Sequence, residues 1–127
     1  MSHCFSLNYT IIIMGPIYGT QQAYLAYQFA EALLKTSHHL KHIFFYAEGV
    51  YNANQYSAPA NDEFNLREAW GTLASQYDIS LDVCVSAGLR RGIIREDELN
   101  TIDSHFNASG LTSLAEAIAN SDRVIQF

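Results

Sequence analysis

Cys84 closes the apolar run Ser80-Leu81-Asp82-Val83-Cys84 and leads into Val85-Ser86-Ala87-Gly88-Leu89-Arg90-Arg91-Gly92. A cysteine at the end of a strand, entering a small-residue turn with two arginines behind it, stands where a thiol can be exposed and held as thiolate. An ordinary thiol, with a pKa of about 8.5, is only a few per cent ionised at neutral pH, and one unit of downward shift corresponds to about 1.4 kcal/mol. Arg90 and Arg91, with the backbone N–H groups of the turn, are the groups that could supply it. A plain structural reading competes, because cysteine also packs near strand ends as a small hydrophobe. Cys4 could reach Cys84 as a resolving thiol, but nothing in the spacing pairs them.

Other candidate chemistries are weaker. Gly15-Pro16-Ile17-Tyr18-Gly19-Thr20 runs from a strand into a helix, where phosphate loops sit, yet it lacks both the Gly-Lys-Ser/Thr ending and the three-glycine dinucleotide pattern. A turn that shapes a crevice wall is the better reading. His38 and His42 have the four-residue spacing of a metal pair, but they fall where a helix should end and a strand begin, so His38, His39 and His42 read as a solvated turn. The stretch from Gly49 to Asn61 carries Tyr51, Asn52, Asn54, Gln55 and Tyr56, a mixture suited to protein contact, and its length favours a functional loop.

The elements that must position these residues follow from periodicity. Tyr9 to Met14 is β-branched and apolar before the Gly15-Pro16 break. Thr20 is a candidate N-cap for a helix whose Ala23, Ala26, Tyr27, Ala30, Leu33 and Leu34 share one face, ending near Ser37-His38. His42 to Ala47 reads as a second strand. Asp62 can cap a second helix with Leu66, Ala69, Trp70, Leu73, Ala74 and Tyr77 on its apolar face. In the cysteine strand Leu81, Val83 and Val85 share one face while Asp82 and Cys84 share the other. Arg95 to Asp103 suits a short helix or a mobile loop. Ser109-Gly110 opens a last helix with Leu111, Leu114, Ala115 and Ile118, and Arg123 to Phe127 is strand-like. Strands alternating with helices specify a mainly parallel α/β sheet covered on both faces, with the crevice beyond the carboxyl ends of the strands. Three segments should meet there: the Gly15 to Thr20 turn, the Gly49 to Asn61 loop, and Cys84 with its arginines.

The bulk composition is consistent with that plan. The chain of 127 residues suits one domain spanning residues 1–127, with 1–8 read as an N-terminal extension. It is 49% hydrophobic and only 16% charged, so part of its surface is expected to meet other protein. A net charge of -6, with Lys35 and Lys41 the only lysines, argues against direct nucleic-acid binding. Two cysteines have neither the number nor the spacing of a disulfide framework or zinc site. No basic, apolar leader or span-length apolar run is evident, which gives the expectation of a cytoplasmic protein.

Gly15-Pro16-Ile17-Tyr18-Gly19-Thr20-Gln21-Gln22-Ala23, Phe44 to Asn54, Cys84 to Gly92 and Ser109 to Phe127 together resemble the DsrE/TusD sulfurtransferase family, nearest its TusD branch. The resemblance implies a flavodoxin-like α/β fold and a sulfurtransferase without cofactor or metal, whose persulfide-carrying cysteine falls on Cys84. It implies assembly with TusB-like and TusC-like subunits as a dimer of heterotrimers. It further implies a relay in which a TusA-like donor supplies sulfane sulfur and a TusE-like acceptor takes it toward 2-thiouridine at the tRNA wobble position. Arg90 and Arg91 occupy the arginine pair that follows the cysteine, and their role as thiolate stabilisers is read from charge. A DsrE-like subunit of oxidative sulfur metabolism and a non-catalytic assembly subunit with an inert thiol are the alternatives. Three departures stand out: the region between Gly92 and Ser109 is shorter than in relatives, Gly88 replaces the usual alanine, and Met1 to Asn8 is additional.

Overall fold

The computed structural model describes residues 5–97 and 101–127. Its elements in chain order are β1 (Asn8–Ile13), α1 (Gln22–Leu34), β2 (His39–Phe45), a 3-10 helix (Ala47–Ala53), α2 (Leu66–Tyr77), β3 (Ser80–Cys84), α3 (Val85–Arg90), β4 (Phe106–Ser109), α4 (Leu111–Ala119) and β5 (Arg123–Gln126). The strands form one sheet in the order β4-β3-β2-β1-β5, and every pairing is parallel. This is the α/β architecture anticipated, consistent with a flavodoxin-like fold. All five carboxyl ends therefore lie along one edge.

Alternation along the strands divides the molecule. Ile11, Ile13, Ile43, Phe45, Leu81 and Val83 face α1 and α2 and are all buried. Trp70 of α2 meets Phe45 edge-on at 5.4 Å and Tyr27 of α1 at 5.3 Å, so one indole joins both helices to the sheet. Aromatic pairs of this kind add about 0.5–1.5 kcal/mol beyond area burial. The opposite face carries Thr10, His42, Asp82, Cys84 and Ser109, and α4 crosses it: Ser121, just beyond α4, bonds Thr10 Oγ1 at 2.6 Å. Helices therefore lie on both faces, although α4 buries only Ala117 and leaves Leu111 and Ile118 exposed.

Several boundaries differ from the sequence expectation. Thr20 does not cap α1; Gln21 holds that position, and Thr20 Oγ1 only accepts a long 3.4 Å bond from Gln22 N. Asp62 is not the cap of α2 either. Ala60 to Glu63 form a turn closed by Glu63 N donating to Ala60 O, so the helix starts later, and Asn65 Oδ1 accepts from Glu68 N at 3.1 Å. β2 begins at His39, three residues earlier than expected, because Leu7 O accepts from His39 N and extends the pairing beside β1. Val85 leaves the alternation of β3 to begin α3. β4 was not anticipated; its four residues Phe-Asn-Ala-Ser carry a single large apolar side chain, too little for a period. Asn8, assigned to an extension, is the first residue of β1. No helix was found in the described part of 95–103, where residues 98–100 lie outside the described residues, as does Cys4. Ile102 instead bridges Asn54, and Asp103 N donates to Ala53 O at 2.8 Å.

Candidate functional site

Cys84 stands at the carboxyl end of β3, in register with Ser109 of β4, and is the N-cap residue of α3. Its thiol is not exposed: the residue is 1% accessible. The expectation of an open thiol failed because Cys84 is still part of the ladder and α3 begins at the next residue, with Ala87 and Gly88 buried behind it. Cys84 is a free cysteine.

Arg90 and Arg91 lie at the far end of α3, about 9 Å of helical rise from Cys84. Arg90 is exposed. Arg91 is engaged: its Nε and Nη2 donate to Glu48 Oε1 at 3.0 and 2.9 Å, and its Nη1 donates to Ala87 O at 3.1 Å. Glu48 belongs to the 3-10 helix, so this guanidinium ties the loop after β2 to the helix after β3. No sequence pattern links residues this far apart. Gly88 has a local reason as well: a Cβ there would lie 2.7 Å from Ile94 Cγ1 and Cδ1, so glycine lets the chain after α3 fold back over the helix.

The first two expected segments do converge. Pro16, Ile17 and Tyr18 after β1, with Glu48, Tyr51, Asn54 and Ser57 after β2, line an open groove of about 370 Å³. Cys84 is not among its lining residues. What fixes the groove is a residue expected at the surface. Asn52 is fully buried; its Nδ2 donates to Gly15 O at 3.0 Å and Gly49 O at 2.9 Å, and its Oδ1 accepts from Trp70 Nε1 at 3.3 Å. One amide thus joins the β1 loop, the 3-10 helix and α2. The spacing of Val50 and Ala53 at i and i+3, both buried, was the available sign that this stretch turns inward as a 3-10 helix. Gly49 permits the approach: a Cβ would fall 2.0 Å from Ile13 O. Ala47 carries a φ of 50°, a costly conformation for a residue with a side chain, at the point where the chain leaves β2. Tyr56 remains exposed on this loop.

Two polar clusters left no sign in the sequence. Asp82, buried on the same face as Cys84, accepts from Ser80 Oγ at 2.8 Å and Ser109 Oγ at 3.2 Å, and pairs with His42 Nδ1 at 3.1 Å. His42 is therefore a sheet residue, and His38 Nδ1 accepts from Leu7 N at 3.0 Å, so neither belongs to a solvated turn. Among the described residues no group of three or more metal-ligating side chains occurs. On the other side of α2, Asp103 bonds Arg67 Nη1 at 2.6 Å and both the backbone and ring nitrogens of His105 at 2.8 Å. Burial pushes the Asp103 carboxyl up, but the hydrogen bonds from His105 and Arg67 outweigh it and hold the group below the usual carboxylate range. His105 also packs against α2, where a Cβ on Gly71 would lie 2.8 Å from its ring.

Residues 8–127 match the model of the DsrE/DsrF-like family. The chain is 52% identical over 128 residues to sulfurtransferase TusD of Serratia proteamaculans (strain 568), covering 95% of this chain and 99% of that protein. It is 49% identical over 129 residues to sulfurtransferase TusD of Proteus mirabilis (strain HI4320), covering 96% of this chain and 99% of the relative. The crystal structure of the ychN protein from E. coli shares the fold, with a TM-score of 0.70 at 19% identity over 95% of this chain and 99% of that one. With near-complete coverage on both sides and a fold to match, the chain belongs to the DsrE/DsrF-like family.

Proposed function

We propose that this chain is a sulfur-relay sulfurtransferase that carries sulfane sulfur as a persulfide on Cys84. Sulfurtransferase activity follows from its full-length relatives at about half identity. The observation that carries the residue assignment is the place of Cys84 at the carboxyl end of an interior parallel strand, the edge where ligand sites form in open α/β sheets. In the transfer, the Cys84 thiolate attacks the outer sulfur of a donor persulfide. A new S–S bond forms on Sγ, the donor S–S bond breaks, and the donor departs as thiolate; an acceptor thiolate then takes the outer sulfur in the same way. Electrons balance without a redox partner, and the proton of the Cys84 thiol passes to solvent. Arg90 ends α3 and Arg91 follows it; Arg91 is paired with Glu48, so its charge serves the transferring sulfur only when that pair opens.

The finer assignment extends the family resemblance: sulfur from a TusA-like donor, delivery to a TusE-like acceptor, use in wobble 2-thiouridine synthesis, and assembly with TusB-like and TusC-like subunits in the cytoplasm. The net charge of -6 suits a subunit that docks proteins rather than tRNA. No helix among the described residues is long and apolar enough to cross a membrane. A second reading, an assembly subunit with an inert thiol, is favoured by one observation, the burial of Cys84. Intact mass after incubation with a persulfide donor separates them. One reducible sulfur should add to the wild type and to Cys4→Ser, and none to Cys84→Ser; equal loading of Cys84→Ser would reject the carrier.

A further inference from the structure

Sulfur exchange needs an incoming sulfur to reach Sγ, yet Cys84 is 1% exposed. Something beside it must move. β3 is held on both sides, Val83 by Phe45 and Cys84 by Ser109, so shifting it would break the sheet. α3 is the adjoining element free of the ladder. It is six residues long, its N-cap side chain makes no capping bond, and Ser86, Leu89 and Arg90 are already exposed. Gly92, at a φ of 70°, gives the chain a sharp left-handed bend just beyond it.

What crosses from α3 to the rest of the molecule through charge is the Arg91 guanidinium. It grips the helix backbone at Ala87 O and the Glu48 carboxylate together. The Glu48 side chain is 54% exposed while that of Arg91 is 22%, so water reaches the pair from the carboxylate side and it can open and re-form, suited to a catch rather than a permanent brace. We propose that Glu48 is a positioning residue for the transfer: through Arg91 it latches α3 closed beside the thiol, and release of the pair opens Cys84 to the incoming persulfide. This role rests on Cys84 being the sulfur carrier. Release also frees the guanidinium to face the charge on sulfur. Because Glu48 lines the groove with Pro16, Tyr18 and Tyr51, a cationic side chain entering that groove competes with Arg91 directly.

The test uses the full chain with Cys4→Ser, adding Glu48→Gln. Alkylation of Cys84 and hydrogen exchange of the α3 amides are measured in parallel, at low and high salt. Both rates should rise together by about two- to fivefold in Glu48→Gln, and salt should accelerate the parent more than the variant. The charge-swapped Glu48→Arg/Arg91→Glu protein should return both rates toward the parent's, which thiolate stabilisation by Arg91 alone would not produce. Unchanged exchange and alkylation in Glu48→Gln, together with no salt effect on the parent, would overturn the latch. Should Glu48→Gln open α3 while Cys84 still takes no sulfur from a persulfide donor, the carrier reading fails and with it the role in transfer, leaving Glu48 only as a tie on α3. Sulfur loading in the parent, with α3 exchange indifferent to Glu48→Gln, would keep the carrier and remove the latch.

Discussion

Replacing Asn52 with leucine keeps the branched shape of the side chain and removes its polar atoms. Three groups lose a partner at once: Gly15 O, Gly49 O and Trp70 Nε1. Asn52 and Trp70 are fully buried, so water does not readily replace the missing amide. An orphaned buried donor or acceptor costs about 1–3 kcal/mol, and crowding by two methyl groups adds to that. Partial relaxation and the second lone pairs of the carbonyls reduce the sum, which leaves about 3 kcal/mol or more of lost stability. Against a total of about 5–15 kcal/mol for a domain, this is a large fraction. Urea unfolding followed by tryptophan fluorescence reads it directly, since Trp70 is the chain's single tryptophan and one of the partners. With a slope of about 1–3 kcal/mol/M the midpoint should fall by about one molar or more. Asn52→Asp would keep the acceptor for Trp70 but lose both donors, and should be at least as damaging through its buried charge. A loss below about 1 kcal/mol for Asn52→Leu, with the native fluorescence spectrum retained, would refute the idea that this amide holds the β1 loop and the 3-10 helix together.

Further outcomes follow from the same geometry. Gly49→Ala should cost several kcal/mol or prevent folding, because its Cβ would meet Ile13 O at 2.0 Å and that atom is backbone; thermal melting within a few degrees of wild type would contradict it. Asp103 is held below its unfolded value, so its contribution is present above the unfolded carboxylate range, near pH 4, and is lost as pH falls through the folded value. Asp103→Asn should therefore lower stability at neutral pH and flatten the acid limb of the stability curve; a parallel acid limb in the variant would remove Asp103 from the acid response. Cys84→Ser should still fold while failing to load sulfur, at a loss of about 1–3 kcal/mol for a hydroxyl placed in a buried site, and failure to fold would mark the thiol as a packing residue first.

Elements encoded by local patterns were legible along the chain. The helical spacing of Ala23 to Leu34 and of Leu66 to Tyr77, the β-branched run before Gly15 and the apolar run ending at Cys84 predicted four elements within a few residues, because amphipathic burial repeats along the chain. Alternation of such elements led to the parallel sheet, and that sheet put Cys84 at its carboxyl edge. The family resemblance was legible too, since it lay in continuous stretches of residues. The cap of α2 and the existence of β4 were not, because Asn65 is one of several polar residues before the helix and β4 is recruited by its neighbour rather than by its own pattern. Tertiary structure alone decided which polar groups are inside. Asn52, a surface residue by type, is the buried joint of three elements; Glu48 and Arg91 meet across 43 positions; Asp82 finds donors on both neighbouring strands. Hydrogen-bond partners that fold together from distant segments leave no periodic trace, since each is chosen by distance and direction in space. The burial of Cys84 is of the same kind: residue type and a nearby turn suggested an open thiol, and whether the turn opens outward or starts a helix beside the sheet was settled only when the chain folded.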